Sequence, residues 1–232
     1  MSIESKPKLI SFDCYGTLID WETGILAALK PMLESHGVVC DDDTLLETYA
    51  GCEAEEEERD YRPYRQVLRS VTCNLGERFS FTPSTNDLLV LEESIKNWPP
   101  FSDTVAALRQ LKKHFQLAII SNIDDDLFVG SAEQLQVEFD FVTTAAQANA
   151  YKPSLKVFEA AAQAIGMDKR DWLHVAQSLY HDILPSNNFG LSSVWVNRRK
   201  GQPGSGATPK ASATPDLTVA DLESLVSSLL SS

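Results

Sequence analysis

The chain has 232 residues, and its 33 Asp and Glu against 20 Lys and Arg leave a formal net charge of −13. An acidic surface repels nucleic acid and anionic membranes, so neither is expected as a partner, and a small anionic substrate would need locally placed cations. Hydrophobic content of 43% and charged content of 23% suit a globular protein with a real core, built as one large domain or as a core with a modest insert.

The first residues, Met1 to Pro7, show no apolar signal region, and no apolar run reaches the length needed to cross a bilayer. Cys14, Cys40, Cys52 and Cys73 are scattered without a CxxC pair. Reduced thiols and a cytoplasmic location are expected.

The run Lys8 to Phe12 is short, apolar and rich in branched residues, and it ends on Asp13 with Gly16 three positions later. That pattern predicts a buried strand delivering a carboxylate into a tight loop. Residues Glu22 to His36 repeat apolar positions at helical spacing and stop at Gly37, a suitable C-cap. The acids at 41–43 offer an N-cap for a second helix through Leu45, Leu46 and Tyr49. Glu53 to Arg69 is acidic early and basic late, which predicts a solvated helix aligned with its dipole. Pro83-Ser84 opens another helix carrying Leu88, Leu91 and Ile95 on one face. Residues 21–98 thus read as an all-helical insert.

Trp98-Pro99-Pro100 marks a boundary. A helix follows from Ser102 or Asp103 to Leu111, and from there strands alternate with helices. Strands are predicted at Gln116–Asn122, Phe139–Thr144, Trp172–Ala176 and Ser193–Asn197, with helices at 124–135, 154–165 and 183–189. This alternation predicts a parallel sheet covered on both faces. Gly201 to Pro215 reads as a flexible loop; no helix opens after its glycines, which argues against a dinucleotide loop. Leu217–Val219 fits an edge strand and Ala220–Leu230 a closing amphipathic helix.

In a parallel sheet the carboxyl ends of the strands face one crevice, where ligands bind. Those ends carry Asp13 with Tyr15 and Thr17, then Ser121-Asn122, then Lys152 before Pro153, then Gln177-Ser178 with Asp182. Singly, each has a structural explanation: a helix cap, a surface charge, a dipole acid. Together, and in this order, they point to a site.

Four stretches carry a resemblance to the haloacid dehalogenase superfamily: Phe-Asp-Cys-Tyr-Gly-Thr-Leu at 12–18, Ile-Ile-Ser-Asn at 119–122, Tyr-Lys-Pro at 151–153, and His-Val-Ala-Gln-Ser-Leu-Tyr-His-Asp at 174–182. The resemblance implies an α/β fold. Its Rossmann-like core, a parallel sheet flanked by helices, would take residues 1–20 and 99–232. An all-helical cap at 21–98 would be inserted after the first strand. It also implies Asp13 as nucleophile.

Phosphate-handling members carry a second Asp two residues after the nucleophile and a Gly-Asp pair in the last motif. Here those places hold Tyr15 and Ala176-Gln177. Magnesium prefers hard, anionic oxygens in octahedral array, so neither a metal site nor any other cofactor is expected, and a magnesium-dependent phosphatase becomes the alternative. The first motif is similar to that of the metal-independent (S)-2-haloacid dehalogenases. That resemblance implies hydrolysis of a short 2-halo carboxylic acid through an Asp13 ester. Lys152 would hold Asp13 ionised, and Thr17, Ser121 and Asn122 would bind the substrate carboxylate or the nucleophile. Tyr15 would line the halide side, and Asp182 would orient Lys152 or the hydrolytic water.

Two departures stand out. No Arg occurs between Leu33 and Tyr49, where that branch places its halide-receiving arginine, so Arg62 or Arg65 is expected to substitute. The last motif has Gln177-Ser178 in place of Ser-Ser-Asn, which leaves the placement of the water open. A repurposed, non-hydrolytic fold is a third reading, and the resemblance leaves a homodimer open.

Overall fold

A computed structural model describes residues 6–230. Of the segment Met1 to Pro7, expected to carry no signal region, residues 1–5 lie outside the described residues. Strand β1 (Leu9–Phe12) is wholly buried. The chain then enters helices α1 (Trp21–Ser35), α2 (Asp42–Glu57), α3 (Tyr64–Phe79) and the short α4 (Val90–Ser94). It continues as α5 (Thr104–Leu111), β2 (Gln116–Ser121), α6 (Asp125–Leu135), β3 (Phe141–Thr144), α7 (Ala145–Ala148) and α8 (Leu155–Ile165). Next come β4 (Trp172–Ala176), a π-turn at Leu179–Ile183, α9 (Leu184–Phe189), β5 (Ser192–Val196), β6 (Leu217–Val219) and α10 (Leu222–Leu230).

The strands form one six-stranded sheet in the order β3-β2-β1-β4-β5-β6, with every pair parallel. This is the doubly wound order, whose switch point lies beside the first strand. Period-two alternation divides β1 between two cores. Ile10 and Phe12 join the core shared with the helical segment, while Leu9 packs with Ala118, Ile120, Phe158 and Trp172 on the other face.

The helical segment leaves and rejoins the sheet side by side. Asp20 N donates to Pro99 O at 2.7 Å, and Phe101 N to Leu18 O at 3.1 Å. Trp98 seals this junction: a Cβ added to Gly24 of α1 would sit 2.3 Å from its ring, so only glycine permits the contact.

The run from Glu53 to Arg69 is not one solvated helix. Pro63 breaks it, since α2 ends at Glu57 and α3 begins at Tyr64. Glu53 and Glu56 are buried. The start of α3 is capped from the turn after β2: Tyr64 N donates to Asp124 Oδ1 at 2.8 Å and Arg65 N to Asp124 Oδ2 at 3.1 Å. Asp124 is itself the N-cap residue of α6. Nor is the 201–215 segment a loose loop. Arg199 pairs with Glu22 and Asp43, Ala207 N donates to Glu22 at 3.0 Å and Ser205 N to Glu47 at 3.2 Å.

No helix among the described residues is long and apolar enough to cross a membrane.

Candidate active site

Register places the carboxyl ends of β1, β2 and β4 together, because Phe12 pairs with Ile119 on one side and Val175 on the other. The loop after β1 is tight: Leu18 N and Ile19 N both donate to Cys14 O, at 2.8 and 3.0 Å. Gly16 lies at φ +88°, where a side chain would be strained and would also strike Trp21 Nε1 at 2.8 Å. This turn aims Asp13 into the cleft and sets Thr17 behind it.

Thr17 Oγ1 donates to Asp13 Oδ2 at 2.7 Å and accepts from Gln177 N at 2.9 Å. Lys152 Nζ supplies the other side of Asp13. Its three N–H groups reach Asp13 Oδ1 at 2.8 Å, Asp182 Oδ1 at 2.7 Å and Ile120 O at 2.9 Å. An ammonium has three donors, so this one is saturated. Burial alone would lower the Lys152 amine, but Asp13 and Asp182 hold it above its ordinary value. Burial pushes the Asp13 carboxyl up, with Lys152 the strongest opposing influence. Asp182 is buried too, yet Lys152 and His174 keep it low.

A chain of buried polar groups backs Asp182. Trp172 Nε1 donates to Ser11 Oγ at 2.7 Å, Ser11 Oγ meets His174 Nδ1 at 2.8 Å, and His174 Nε2 meets Asp182 Oδ1 at 3.0 Å. Indole nitrogen only donates and a carboxylate only accepts, so protons point along the chain from Trp172 to Asp182. Asn122 fixes the Lys152 backbone, accepting from Lys152 N at 2.7 Å and donating to Lys152 O at 3.1 Å. Ser121 Oγ and Asp182 Oδ2 are buried and have no hydrogen-bond partner among the described residues.

These groups floor a small cleft of about 30 Å³ between the sheet and the helices inserted after β1. Asp13, Tyr15, Ser121, Asn122, Lys152 and Asp182 line it, joined by Gln177 and Ser178. Tyr15 sits edge-on to Trp98 at 5.8 Å between centroids, with its hydroxyl 2.9 Å from Ser131 Oγ. Gln177 Oε1 accepts from Thr208 at 3.2 Å, and Ser178 caps the π-turn by accepting from His181 N at 2.8 Å.

Neither Arg62 nor Arg65 lines this cleft, contrary to the expectation that one would receive the halide. The break at Pro63 turns both away. Arg62 pairs with the buried Glu56, and Arg65 with Asp124 and Asp126.

The roof instead carries Trp21, Tyr64, Glu53 and Glu57. Glu53 Oε1 accepts from Tyr49 at 2.7 Å and Tyr64 at 2.5 Å. Burial raises its carboxyl to about 7, against those two hydroxyls. Burial, with Glu53 next, lifts Glu57 well above the carboxylate range. Asn122 Nδ2 donates to Glu57 at 3.1 and 3.2 Å, and His181 Nε2 lies 3.5 Å away. Burial lowers His181 to about 4.

Sequence reasoning passed over this roof, together with His174 and Thr208. The signal was present for part of it: Tyr49, Glu53 and Glu57 recur every four residues, which places them on one helix face.

The donor set fits magnesium poorly. Asp13 and Asp182 share one ammonium, Gln177 offers a neutral amide, and no group of three or more His, Cys, Asp or Glu among the described residues could hold a metal ion.

A (S)-2-haloacid dehalogenase of Pseudomonas sp. (strain YL) is 32% identical over 130 residues, covering 55% of this chain and 53% of that protein. Haloacetate dehalogenase H-2 of Moraxella sp. (strain B) is 25% identical over 95% of this chain and 97% of its own. The structure of L-2-haloacid dehalogenase from Xanthobacter autotrophicus superposes with a TM-score of 0.78 at 20% identity, covering 95% of this chain and 97% of that one. The model of the haloacid dehalogenase-like hydrolases matches residues 10–196, so the chain belongs to that family.

Proposed function

We propose that the protein hydrolyses the carbon–halogen bond of a short 2-halo carboxylic acid through an ester on Asp13, without a metal. The observation that carries this reading is the Asp13 environment, with Lys152 on one oxygen and Thr17 on the other. Both contacts favour the ionised, oriented carboxylate that a nucleophile requires. One Asp13 oxygen attacks C2; a C–O bond forms, the carbon–halogen bond breaks, and halide leaves with its electron pair. Water then adds to Asp13 Cγ and the bond from Cγ to the C2 oxygen breaks. That oxygen takes one proton of the water, the other passes to solvent, and a 2-hydroxy acid is released.

Within this reading Ser121 Oγ, buried and unpartnered, receives the substrate carboxylate. Asp182 Oδ2, likewise unpartnered, accepts from the attacking water. Tyr15 lines the halide side. Its phenol, pushed well above the ordinary range by burial and paired with Ser131 Oγ, is a poorer proton donor than the carboxylic acid that phosphate-handling relatives place there.

The test is halide release over haloacetates and 2-halopropionates, with and without EDTA. Release is expected to persist in EDTA and to vanish in Asp13→Asn. A single turnover in labelled water should place the heavy oxygen in the Asp13 carboxylate. Magnesium-dependent phosphate release with no halide release would overturn the reading in favour of a phosphatase.

A further inference from the structure

The cleft lacks a free cation for a departing anion. In-line attack by Asp13 on the floor expels the leaving group toward the roof, to which α2 contributes Glu53 and Glu57. Lys152 has spent its three donors, and Arg62 and Arg65 are paired elsewhere. The hydroxyls of Tyr49 and Tyr64 both point at Glu53 Oε1. Glu57 stands one helical turn from Glu53, with a side chain 6% exposed.

Two carboxyls so close and so poorly solvated do not both ionise easily. Glu53, with two phenol donors, is the better anion. Glu57 receives only the long amide contacts from Asn122 among these donors, so it is the better place for the proton. The charged and titratable groups facing it are Glu53 and Tyr49 on its own helix, Lys152, Asp182, His181, Tyr151 and Tyr180 from the sheet side, and Tyr64 from α3. Of these only Lys152 favours the carboxylate through charge, and it is already shared by two acids. Ser121 Oγ, buried and unpartnered in the same cleft, is an independent sign that a ligand completes the site.

We propose that Glu57, in its protonated form, donates a hydrogen bond to the halide as it leaves C2. This deepens the dehalogenase reading and rests on it. The proton stays on Glu57; the contact stabilises charge developing on the halogen and is broken when halide departs. A donor of this kind works only below the pH at which Glu57 ionises, since the carboxylate would repel the anion.

Chloride binding, read as NMR line broadening of chloride by the intact chain from about pH 5 to about pH 9, tests this without turnover. Wild type should bind chloride at low pH and lose it as pH rises. Glu57→Gln, which keeps an N–H donor, should still bind at high pH. Glu57→Leu should bind about tenfold more weakly, or worse, at low pH. Trp21→Phe is the control, because its indole borders the same space. Unchanged binding in Glu57→Leu, or loss in Trp21→Phe alone, would overturn the proposal. Chloride binding with the expected pH dependence, but no halide release from any haloacid, would overturn the dehalogenase reading while supporting Glu57 as the anion donor.

Discussion

Lys152 Nζ lies 2.8 Å from Asp13 Oδ1, with both side chains nine-tenths or more buried. Removing the ammonium strands Asp13 and also Asp182. Breaking a buried pair costs about 3–5 kcal/mol, so Lys152→Met should lower the unfolding midpoint strongly at neutral pH. The two carboxyls would then be forced above their ordinary range. The unfolded chain ionises first as pH rises, and the folded state pays the penalty, so stability should recover as pH falls. Denaturant unfolding at about pH 5 and about pH 8 tests it; an equal loss at both would refute it.

Ser11 relays between Trp172 and His174. Ser11→Ala leaves an indole N–H and an imidazole nitrogen buried without partners, which costs about 1–3 kcal/mol. A Ser11→Ala and Trp172→Phe cycle should show coupling of about 0.5–3 kcal/mol. Strict additivity would mean that the groups do not act as one chain.

Glu53 is held at about 7 from an ordinary 4.5. Its folded value is raised, so stability is unaffected below the unfolded value, falls as pH rises between the two, and stays reduced above the folded one. Glu53→Gln keeps an oxygen for both tyrosines and removes the charge. The variant should gain about 1–3 kcal/mol over wild type at about pH 8 and little at about pH 4. Unfolding curves at the two pH values decide the matter, and a gain at low pH alone would contradict it.

Arg62 is structural on this geometry. Its partner Glu56 is 1% exposed in its side chain and retains Asn74 and the exposed Arg59. Arg62→Ala should destabilise by about 1–3 kcal/mol, while Arg65→Ala, at a pairing site one-third exposed, should cost less than about 1 kcal/mol. Neither should change halide release at saturating substrate by more than about threefold. A hundredfold loss in Arg65→Ala with folding intact would restore it to the site.

The sheet was legible because β1, β2 and β4 are continuous apolar runs, which is how doubly covered parallel strands read. Asp13, Thr17, Ser121 and Asp182 were legible as candidates because each ends or follows a strand, and Lys152, eight residues past β3, through the Tyr-Lys-Pro stretch. The roof was not, since an acid on a charged helix reads as solvated unless its burial is known. Glu53 is covered by Tyr64 of α3, and Glu57 by Asn122 and His181 from the sheet side. The segment 201–215 misled for a similar reason: its composition is that of a linker, and backbone amides engaging Glu22 and Glu47 hold it. Single-residue identity cannot show such long-range amide contacts.

Asp124 and Arg199 tie the inserted helices to the sheet from opposite sides, one just after β2 and the other just after β5. A roof fastened at both edges resists lifting away from the sheet. The carboxylate under α3 is the costlier to undo, because it leaves two helix-end amides bare. The start of α3 is thus held over the sheet by a helix cap lent from the turn after β2. Asp124→Ala should loosen that edge, seen as faster amide exchange at the start of α3, while exchange in β1 stays unchanged.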